Sequence, residues 1–177
     1  EQLQALVDIV RQGKALYIGI SRWPLEALRV AHDYLKAHDV PMLIYQGRIN
    51  LLDREPINEG ILDYCQRQGI GFISFSPLAQ GLLTDRYLHG VPDDSRMARN
   101  HFLKKERLTP ELLNYLQRLN ATATERGESL AEMALSWVLH QQGITSVLVG
   151  ASNPEQLQKN LRSVHAQPFD ENIEAIV

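Results

Sequence analysis

An internal repeat of helix, glycine, apolar strand and polar turn limits this chain to an α/β fold. Arg11-Gln12-Gly13 leads through an apolar run to Ser21, Arg67-Gln68-Gly69 leads to Ser76, and Gln141-Gln142-Gly143 leads to Ser152. A further apolar run precedes Gln46, so the pattern predicts four αβ units in succession. Successive units of this kind imply parallel strands joined by right-handed helical crossovers. They suit either a doubly wound sheet or part of an eight-stranded barrel, which typically takes about 250 residues.

Hydrophobic periodicity and turn residues divide the chain into predicted elements. Strands are predicted at 15–20, 42–45, 70–75 and 146–149, and helices at 3–12, 24–35, 57–68, 110–126, 130–141, 154–165 and from 171 onward. The uncharged run 71–75 predicts a strand that is buried on both faces. Pro77 ends that strand, and the sequence to about Leu108 predicts a long polar loop, typical of a lid or a disordered segment.

Length and composition define the class of protein. The 177 residues can bury one core, so we expect a single domain over 1–177. A net charge of −3 argues against bulk binding of nucleic acid. The only cysteine, Cys65, indicates a reducing, cytoplasmic location and a buried apolar role. No apolar run reaches the roughly 20 residues of a membrane span, and the six histidines have no metal-like spacing. The first residues resemble the middle of a helix, so we expect a truncated chain.

Polar residues at the predicted strand ends are the candidate ligand-binding groups, because parallel sheets bind ligands at their carboxyl edge. Ser21 and Gln46 lie just past strand ends and could line a site or serve as turn residues. Phe75 could stack on a planar ring or fill the core. Arg86 and Arg96 could bind a phosphate or form part of a solvated loop. The turn after Gly150 lacks the three spaced glycines of a dinucleotide fingerprint, so an ordinary αβ turn is favoured there.

Four segments of the chain form a recognisable set in this order and spacing. They are Gly13-Lys14-Ala15-Leu16-Tyr17-Ile18-Gly19-Ile20-Ser21-Arg22-Trp23, Tyr45-Gln46, Phe75-Ser76-Pro77-Leu78-Ala79-Gln80-Gly81, and Gly150-Ala151-Ser152-Asn153-Pro154-Glu155-Gln156-Leu157. Taken together, they resemble the carboxyl-terminal half of the aldo/keto reductase superfamily. The pattern is most similar to the branch of the potassium channel β-subunits and the bacterial glyceraldehyde-3-phosphate and methylglyoxal reductases. The resemblance implies a (β/α)8 barrel of TIM type, with this chain supplying about the last four βα units, and an oxidoreductase activity. Because cutting a closed barrel exposes two strand edges and an apolar interior, we expect the chain to form an oligomer.

The resemblance also implies a site for NADP(H) and no metal. Ser21 and Gln46 would bind the nicotinamide carboxamide, with Arg22 beside it and Phe75 under the ring. Ser76, Pro77, Leu78, Ala79, Gln80 and Gly81 would wrap the ribose and pyrophosphate. Arg86 and Arg96 would approach the phosphates, and Gly150, Ser152, Gln156 and Asn160 would hold the adenosine end. Asp94 stands where the channel subunits have a tyrosine, so that contact is not carried over.

The catalytic Asp, Tyr, Lys and His of the family have no matching positions in this chain, so no catalytic residue is assigned. Three hypotheses follow. The chain is the cofactor-binding half of a reductase that converts aldehydes or ketones to alcohols, and is inactive alone. Alternatively, it is a non-catalytic nucleotide-binding regulatory subunit, or an inactive half barrel that self-associates. The expected partners are a small carbonyl substrate and either the missing amino-terminal half or a second copy.

Overall fold

Strands and helices alternate along residues 1–99 and 103–169, the part of the chain that the computed structural model describes. The strands are β1 (Ile18–Ser21), β2 (Met42–Arg48), β3 (Gly71–Phe75) and β4 (Ile144–Val147). The helices are α1 (Gln2–Arg11), α2 (Leu25–Ala37), α3 (Glu55–Asn58), α4 (Ile61–Gln68), α5 (Pro110–Glu125), α6 (Leu130–His140) and α7 (Pro154–Arg162). The predicted helix from 171 lies outside the described residues. No helix within them is long and apolar enough to cross a membrane.

Two compact units make up the described chain. The first holds residues 1–49, 54–75 and 141–148, and the second holds the described residues 50–53, 76–99, 103–140 and 149–169. All four strands belong to the first unit, together with α1 to α4. The expectation of a single domain over 1–177 stays a prediction.

The four strands of the first unit form one parallel sheet in the order β1-β2-β3-β4, as the repeat predicted. Its register aligns residues into rows across the sheet. One row is apolar and consists of Ile20, Tyr45, Phe72 and Ile144. The next row consists of Ser21, Gln46, Ile73 and Ser146. Because successive residues of a strand point to opposite faces, the two rows lie on opposite faces of the sheet.

Only one face of this sheet is fully buried, so the prediction that 71–75 is buried on both faces was wrong. Phe72 and Ser74 are buried, whereas Ile73 and Phe75 are half-buried on the opposite face. The helices account for the difference, because α2 and α3 contact β2, and α4 contacts β3. The open face is the one that carries Ser21 and Gln46.

Element boundaries differ from the prediction where pairing or a single glycine decides them. The strand expected at 15–20 begins at Ile18, and the strand expected to end at Tyr45 continues to Arg48. The fourth strand lies two residues earlier than predicted, at Ile144–Val147. The helix expected at 57–68 is two helices, α3 and α4. Gly60 separates them with φ of +74°, a left-handed conformation that an α-helix does not contain.

The helical part of the second unit begins at a capped helix start. Thr109 accepts a hydrogen bond from the Leu112 N–H through its side chain, and Pro110 is the first residue of α5. Ser129 and Glu132 form a reciprocal pair before α6, in which each side chain accepts from the other residue's backbone N–H. The apolar stripe of α6, which includes Met133 and Trp137, is buried.

The segment between β3 and α5 contains neither strand nor α-helix among its described residues, as predicted. It has three short 3-10 turns, Ala79–Gly81, Asp85–Tyr87 and Lys105–Arg107. The sequence predicted a polar loop, but several apolar side chains of this segment are buried in the protein. They are Leu82, Leu83, Tyr87, Leu88, Met97 and Leu103. The described part of the segment is therefore packed and does not form an open lid.

Candidate functional site

Ser21 and Gln46 lie side by side at the carboxyl edge of the sheet in the first unit. They are direct register partners at the ends of β1 and β2. The Arg22 N–H continues the pairing by donating to the Gln46 carbonyl at 3.1 Å. Within the described chain, neither the Ser21 hydroxyl nor the Gln46 side-chain amide has a hydrogen-bond partner. The two groups can therefore donate to and accept from one amide-sized ligand group.

Phe75 shares the open face with Gln46. Phe75 is the register partner of Arg48, and Arg48 lies two residues after Gln46 on β2. Because side chains two residues apart on a strand point to the same face, Phe75 lies on the face of Gln46. Its ring is half-buried, so part of its surface can contact a ligand. The structure thus brings together Ser21, Gln46 and Phe75 on one face, and Arg22 directly follows them in the turn after β1.

Arg22 occupies a strained backbone position beside a cleft. Its φ of +59° lies in the left-handed region, which non-glycine residues adopt uncommonly and mostly at turns or functional sites. The cleft has a volume of about 180 Å³ and is lined by Arg22, Trp23, Pro24, Tyr45, Gly47, Arg48, Glu55, Pro56, Glu59 and Ile61. The sequence did not indicate this cleft, because its lining comes from three segments that only folding brings together.

Tyr45 supports the floor of that cleft and is not a proton donor. Its hydroxyl donates to the Trp23 carbonyl at 2.8 Å. Burial is the main cause that raises the pKa of Tyr45 to about 12; Cys65 and the carboxylates Glu55 and Glu59 contribute to this rise, and Arg22 opposes it. Tyr45 also lies on the face of the sheet opposite Gln46. It therefore remains neutral and structural near pH 7.

Two other tyrosines also fail as substitutes for a catalytic tyrosine. Tyr17 precedes β1 and so lies at its amino end, away from Ser21 at the carboxyl end. Tyr87 is 1% exposed inside the second unit, where a substrate cannot reach its hydroxyl.

The predicted turn Ser76 to Gly81 belongs to the second unit and is strained. Three of its non-glycine residues have positive φ: Ser76 at +52°, Ala79 at +47° and Gln80 at +61°. The Ala79 N–H donates to the Ser76 carbonyl at 2.9 Å, which closes the turn. Left-handed non-glycine residues cost roughly 1–3 kcal/mol each and cluster at ligand sites, so this turn is a candidate ligand contact.

The two predicted phosphate arginines differ in availability. Arg86 forms an ion pair with Asp94, with Nη2 2.8 Å from Oδ1, and both side chains are exposed. An exposed pair of this kind is weak, so a phosphate could compete for the guanidinium. Arg96 is exposed and has no ion-pair or hydrogen-bond partner among the residues that the structure covers. Arg96 is therefore the better placed of the two to receive an anion.

The turn before α7 is organised as a helix cap. The Asn153 side chain accepts from the Gln156 N–H at 2.8 Å, and the Gln156 side-chain oxygen accepts from the Ser152 N–H at 2.7 Å. The Ser152 N–H is therefore already satisfied within the chain. The space around Gly150 is open, since an added Cβ would meet no atom within 4 Å.

Asn160 presents a buried, unsatisfied hydrogen-bond donor in the second unit. The residue is 5% exposed, yet its Nδ2 is buried and has no hydrogen-bond partner among the described residues. Leaving a buried donor unsatisfied costs about 1–3 kcal/mol, so native structures rarely do so. An acceptor from a bound molecule would remove this cost. In the described chain, no group of three or more His, Cys, Asp or Glu side chains is placed to hold a metal ion.

Comparisons with known proteins agree with the predicted resemblance. The model of the aldo/keto reductase family matches residues 1–177. An L-glyceraldehyde 3-phosphate reductase of Escherichia coli O157:H7 is 46% identical over 173 residues, which cover 96% of this chain and 50% of that protein. The protein of the same name from Escherichia coli K12 is 45% identical over 173 residues, which again cover 96% of this chain and 50% of that protein. The chain therefore spans about half the length of the curated relatives it matches.

A solved structure extends this agreement to the fold. The crystal structure of a thermostable aldo-keto reductase in complex with the inhibitor epalrestat superposes with a TM-score of 0.69 at 23% identity, covering 99% of this chain and 53% of that one. The four parallel strands thus belong to a fold of TIM-barrel type. On the match over its full length and the identity to these reductases, the chain belongs to the aldo/keto reductase family.

Proposed function

We propose that this chain is the cofactor-binding, carboxyl-terminal half of an NADP(H)-dependent reductase that converts aldehydes or ketones to alcohols. The observation that carries the proposal is the pairing of Ser21 with Gln46 at the carboxyl edge of the sheet. Both side chains are polar, accessible and without a partner in the described chain, as a site for a carboxamide requires. A phosphorylated aldehyde is a reasonable substrate class, since the relatives are named for glyceraldehyde 3-phosphate.

The donor groups of both units fit the chemistry of NADP(H). In the first unit, Ser21 and Gln46 would hold the nicotinamide carboxamide, and the half-exposed Phe75 ring would stack on the nicotinamide. In the second unit, Ser76 to Gly81 would bind the ribose and pyrophosphate. There Arg96 would bind the adenosine phosphate, and the unsatisfied Asn160 Nδ2 would donate to a ring nitrogen of adenine.

The chain's own residues would bind and orient the cofactor without supplying the proton. When bound, NADPH supplies the hydride that reduces a carbonyl carbon. The alkoxide that forms needs a proton donor, and Tyr17, Tyr45 and Tyr87 are unsuited to that role for the reasons given above. We therefore expect the donor on residues outside this chain, and we expect the chain alone not to turn over. A cytoplasmic location remains a prediction from the single cysteine.

A second candidate is a nucleotide-binding regulatory subunit without catalysis. The lack of a suitable proton donor among Tyr17, Tyr45 and Tyr87 is as compatible with this candidate as with the cofactor-binding half of a reductase. In any longer protein that contains this chain, a tyrosine and a lysine on the upstream strands would support the reductase, and their absence would support the regulatory subunit. Consumption of NADPH in the presence of glyceraldehyde 3-phosphate, by that longer protein, would decide between them.

Titration of the chain with NADPH, followed by nicotinamide fluorescence, tests the proposal. We expect micromolar binding, weakened about tenfold by Arg96→Ala because a charge-assisted phosphate contact is lost. Arg99→Ala is the matched control, since Arg99 is also exposed and lies in the same segment, so the substitution removes the same charge and should leave the affinity unchanged. Weaker binding of NADH than of NADPH would support NADP(H) as the cofactor. Absence of NADPH binding to the folded chain would contradict the proposal.

A further inference from the structure

Asn50 is a fully buried polar residue that joins two loops of the second unit. It is 0% exposed. Its side-chain oxygen accepts from the backbone N–H groups of Leu52 and Asp53, both at 2.9 Å. Its side-chain nitrogen donates to the Asp53 carboxylate at 3.1 Å and to the Ser76 carbonyl at 3.0 Å. The amide is therefore saturated, and each of its bonds ends on a different atom.

The orientation of this amide is determined by its partners. The Leu52 N–H donates to the side-chain oxygen, and the Asp53 N–H is shared between this oxygen and the Asn50 backbone carbonyl, which lies 3.2 Å away. Because an amide nitrogen cannot accept these bonds, the side-chain oxygen must face Leu52 and Asp53. The nitrogen then faces the Asp53 carboxylate and the Ser76 carbonyl, which are both acceptors. Arg107 lies near the same carboxylate, with Nη2 3.7 Å from the Asp53 Oδ2. The donor that reaches Ser76 thus cannot rotate away without breaking several hydrogen bonds.

The Ser76 carbonyl connects Asn50 to the strained turn. It accepts the Ala79 N–H that closes the turn, and it also accepts the Asn50 amide, so both of its lone pairs are used. Ser76, Ala79 and Gln80 all have positive φ. Such conformations persist only where surrounding contacts over-determine them. The bond from Asn50 is a side-chain contact of this kind, and it reaches the turn at its first residue.

We propose that Asn50 is a positioning residue for the cofactor, holding the turn from Ser76 to Gly81 in its binding conformation. The inference rests on the proposed function, since it assumes that this turn wraps the ribose and pyrophosphate of NADP(H). Asn50 itself does not touch the cofactor in this scheme. It acts through the Ser76 carbonyl, and the free energy of its buried hydrogen bonds offsets the strain of the turn.

Substitution of Asn50 by aspartate removes the hydrogen bond that the Asn50 side chain donates to the Ser76 carbonyl, while it keeps an acceptor oxygen. Asn50→Asp keeps an oxygen for the N–H groups of Leu52 and Asp53, but it places a second oxygen against the Ser76 carbonyl and the Asp53 carboxylate. We expect the Kd for NADPH to rise about tenfold or more, as the loss of a buried hydrogen bond of about 1.4 kcal/mol implies. Adenosine 2′-monophosphate lacks the pyrophosphate and nicotinamide ribose, so its Kd should stay unchanged.

Controls separate positioning from general loss of stability. Thr109→Ala removes the cap of α5 in the same unit, and the capping bond goes to Leu112 and not to the turn. It should lower stability and leave the Kd for NADPH unchanged. If Asn50→Asp does not fold by circular dichroism, Asn50→Ser replaces it. A serine hydroxyl still accepts from a nearby N–H but is too short to reach Ser76, so it should show the same selective loss.

Each outcome bears on one proposal or the other. A wild-type chain that binds no NADPH overturns the cofactor function and the role of Asn50 with it. Wild-type binding together with an unchanged Kd in Asn50→Asp and Asn50→Ser overturns the positioning role alone. Equal losses for NADPH and adenosine 2′-monophosphate would also overturn it, because they would indicate a merely structural residue.

Discussion

At the scale of single residues, Tyr45 joins the sheet to the segment that follows Ser21. Its hydroxyl donates to the Trp23 carbonyl, so the phenol ties β2 to the turn after β1. Its ring packs against Phe72 with centroids 5.3 Å apart. The residue is almost fully buried, and burial is the main reason that its pKa rises to about 12. Tyr45 therefore stabilises the carboxyl edge on which Ser21 and Gln46 meet.

Replacing Tyr45 with phenylalanine should lower the free energy of unfolding by about 1 kcal/mol or somewhat more. The ring keeps its packing, but the Trp23 carbonyl loses its donor. Urea unfolding of Tyr45→Phe measures the loss. Tyr17→Phe is the matched control, since Tyr17 is 56% exposed and its hydroxyl has no described partner. Equal stabilities of the two variants would contradict the role of the Tyr45 hydroxyl.

Alkaline pH should destabilise the fold through Cys65 and Tyr45. Burial raises the pKa of the Cys65 thiol from 9.0 to about 12, and that of Tyr45 rises from 10.0 to about 12. The unfolded chain ionises first, so the stabilising contribution is complete below pH 9.0 and is lost between there and about pH 12. Urea unfolding across this range should show the decline. Cys65→Ala should have a shallower slope, and an equal slope would contradict the assignment to Cys65.

At the scale of elements, β2 uses its two faces differently. Gln46 points to the open face, whereas Tyr45 and Gly47 point to the buried one. A Cβ at Gly47 would lie 2.5 Å from Cζ of Phe72 and 3.0 Å from Cε1 of Tyr45. The strand therefore needs a residue without a side chain directly after the candidate ligand residue.

Gly47→Ala should destabilise the protein by about 1–3 kcal/mol, because two large buried rings must move to admit one methyl group. Thermal or urea unfolding measures the effect. Gly150→Ala provides the comparison, since an added Cβ there meets nothing within 4 Å and its unfolding free energy should change little. A Gly47→Ala variant as stable as Gly150→Ala would show that the rings repack without cost.

Helix starts were easier to predict than strand ends. Thr109 and Pro110 lie next to each other in sequence, so the cap and first residue of α5 could be recognised directly. Gly60 was overlooked inside an otherwise helical pattern, although its conformation divides the helix in two. The ends of β2 and β4 could not be predicted, because they depend on how far the neighbouring strands extend.

At the scale of the whole molecule, the sheet has two edge strands. β1 and β4 each pair on one side only within the described chain. Exposed apolar residues lie beside both edges, with Leu16 at 78% and Tyr17 at 56% before β1, and Leu148 at 47% after β4. Unpaired edges and apolar patches of this kind favour association with another chain.

We predict that the isolated chain self-associates at micromolar concentration. Sedimentation should give a mass above the 20.1 kDa of one chain. Leu16→Lys should weaken the association by placing a charge beside the β1 edge. Val30→Lys on α2 is the control, since Val30 is 62% exposed but does not lie at an edge strand. A monodisperse monomer would contradict the prediction.

The candidate site was foreseen in part. The strand-end pattern was sufficient to select Ser21 and Gln46, because carboxyl ends of parallel strands meet at one edge. Arg86 was selected by its charge, but its ion pair with Asp94 could not be foreseen from residues eight positions apart in an irregular loop. Asn50 was missed, although an asparagine followed by Leu52 and Asp53 in a loop is typical of a turn in which the side chain binds backbone N–H groups.

The sequence by itself determined the family, the parallel αβ order and the residue types of the candidate site. These depend on short-range patterns: periodicity, caps, turn residues and local motifs. Only the tertiary structure decided which face of the sheet is open, that Asn50 reaches Ser76, and that Asn160 is buried without a partner. Those features depend on contacts between segments that are distant in sequence. These contacts determine which side chains are buried and which hydrogen bonds form.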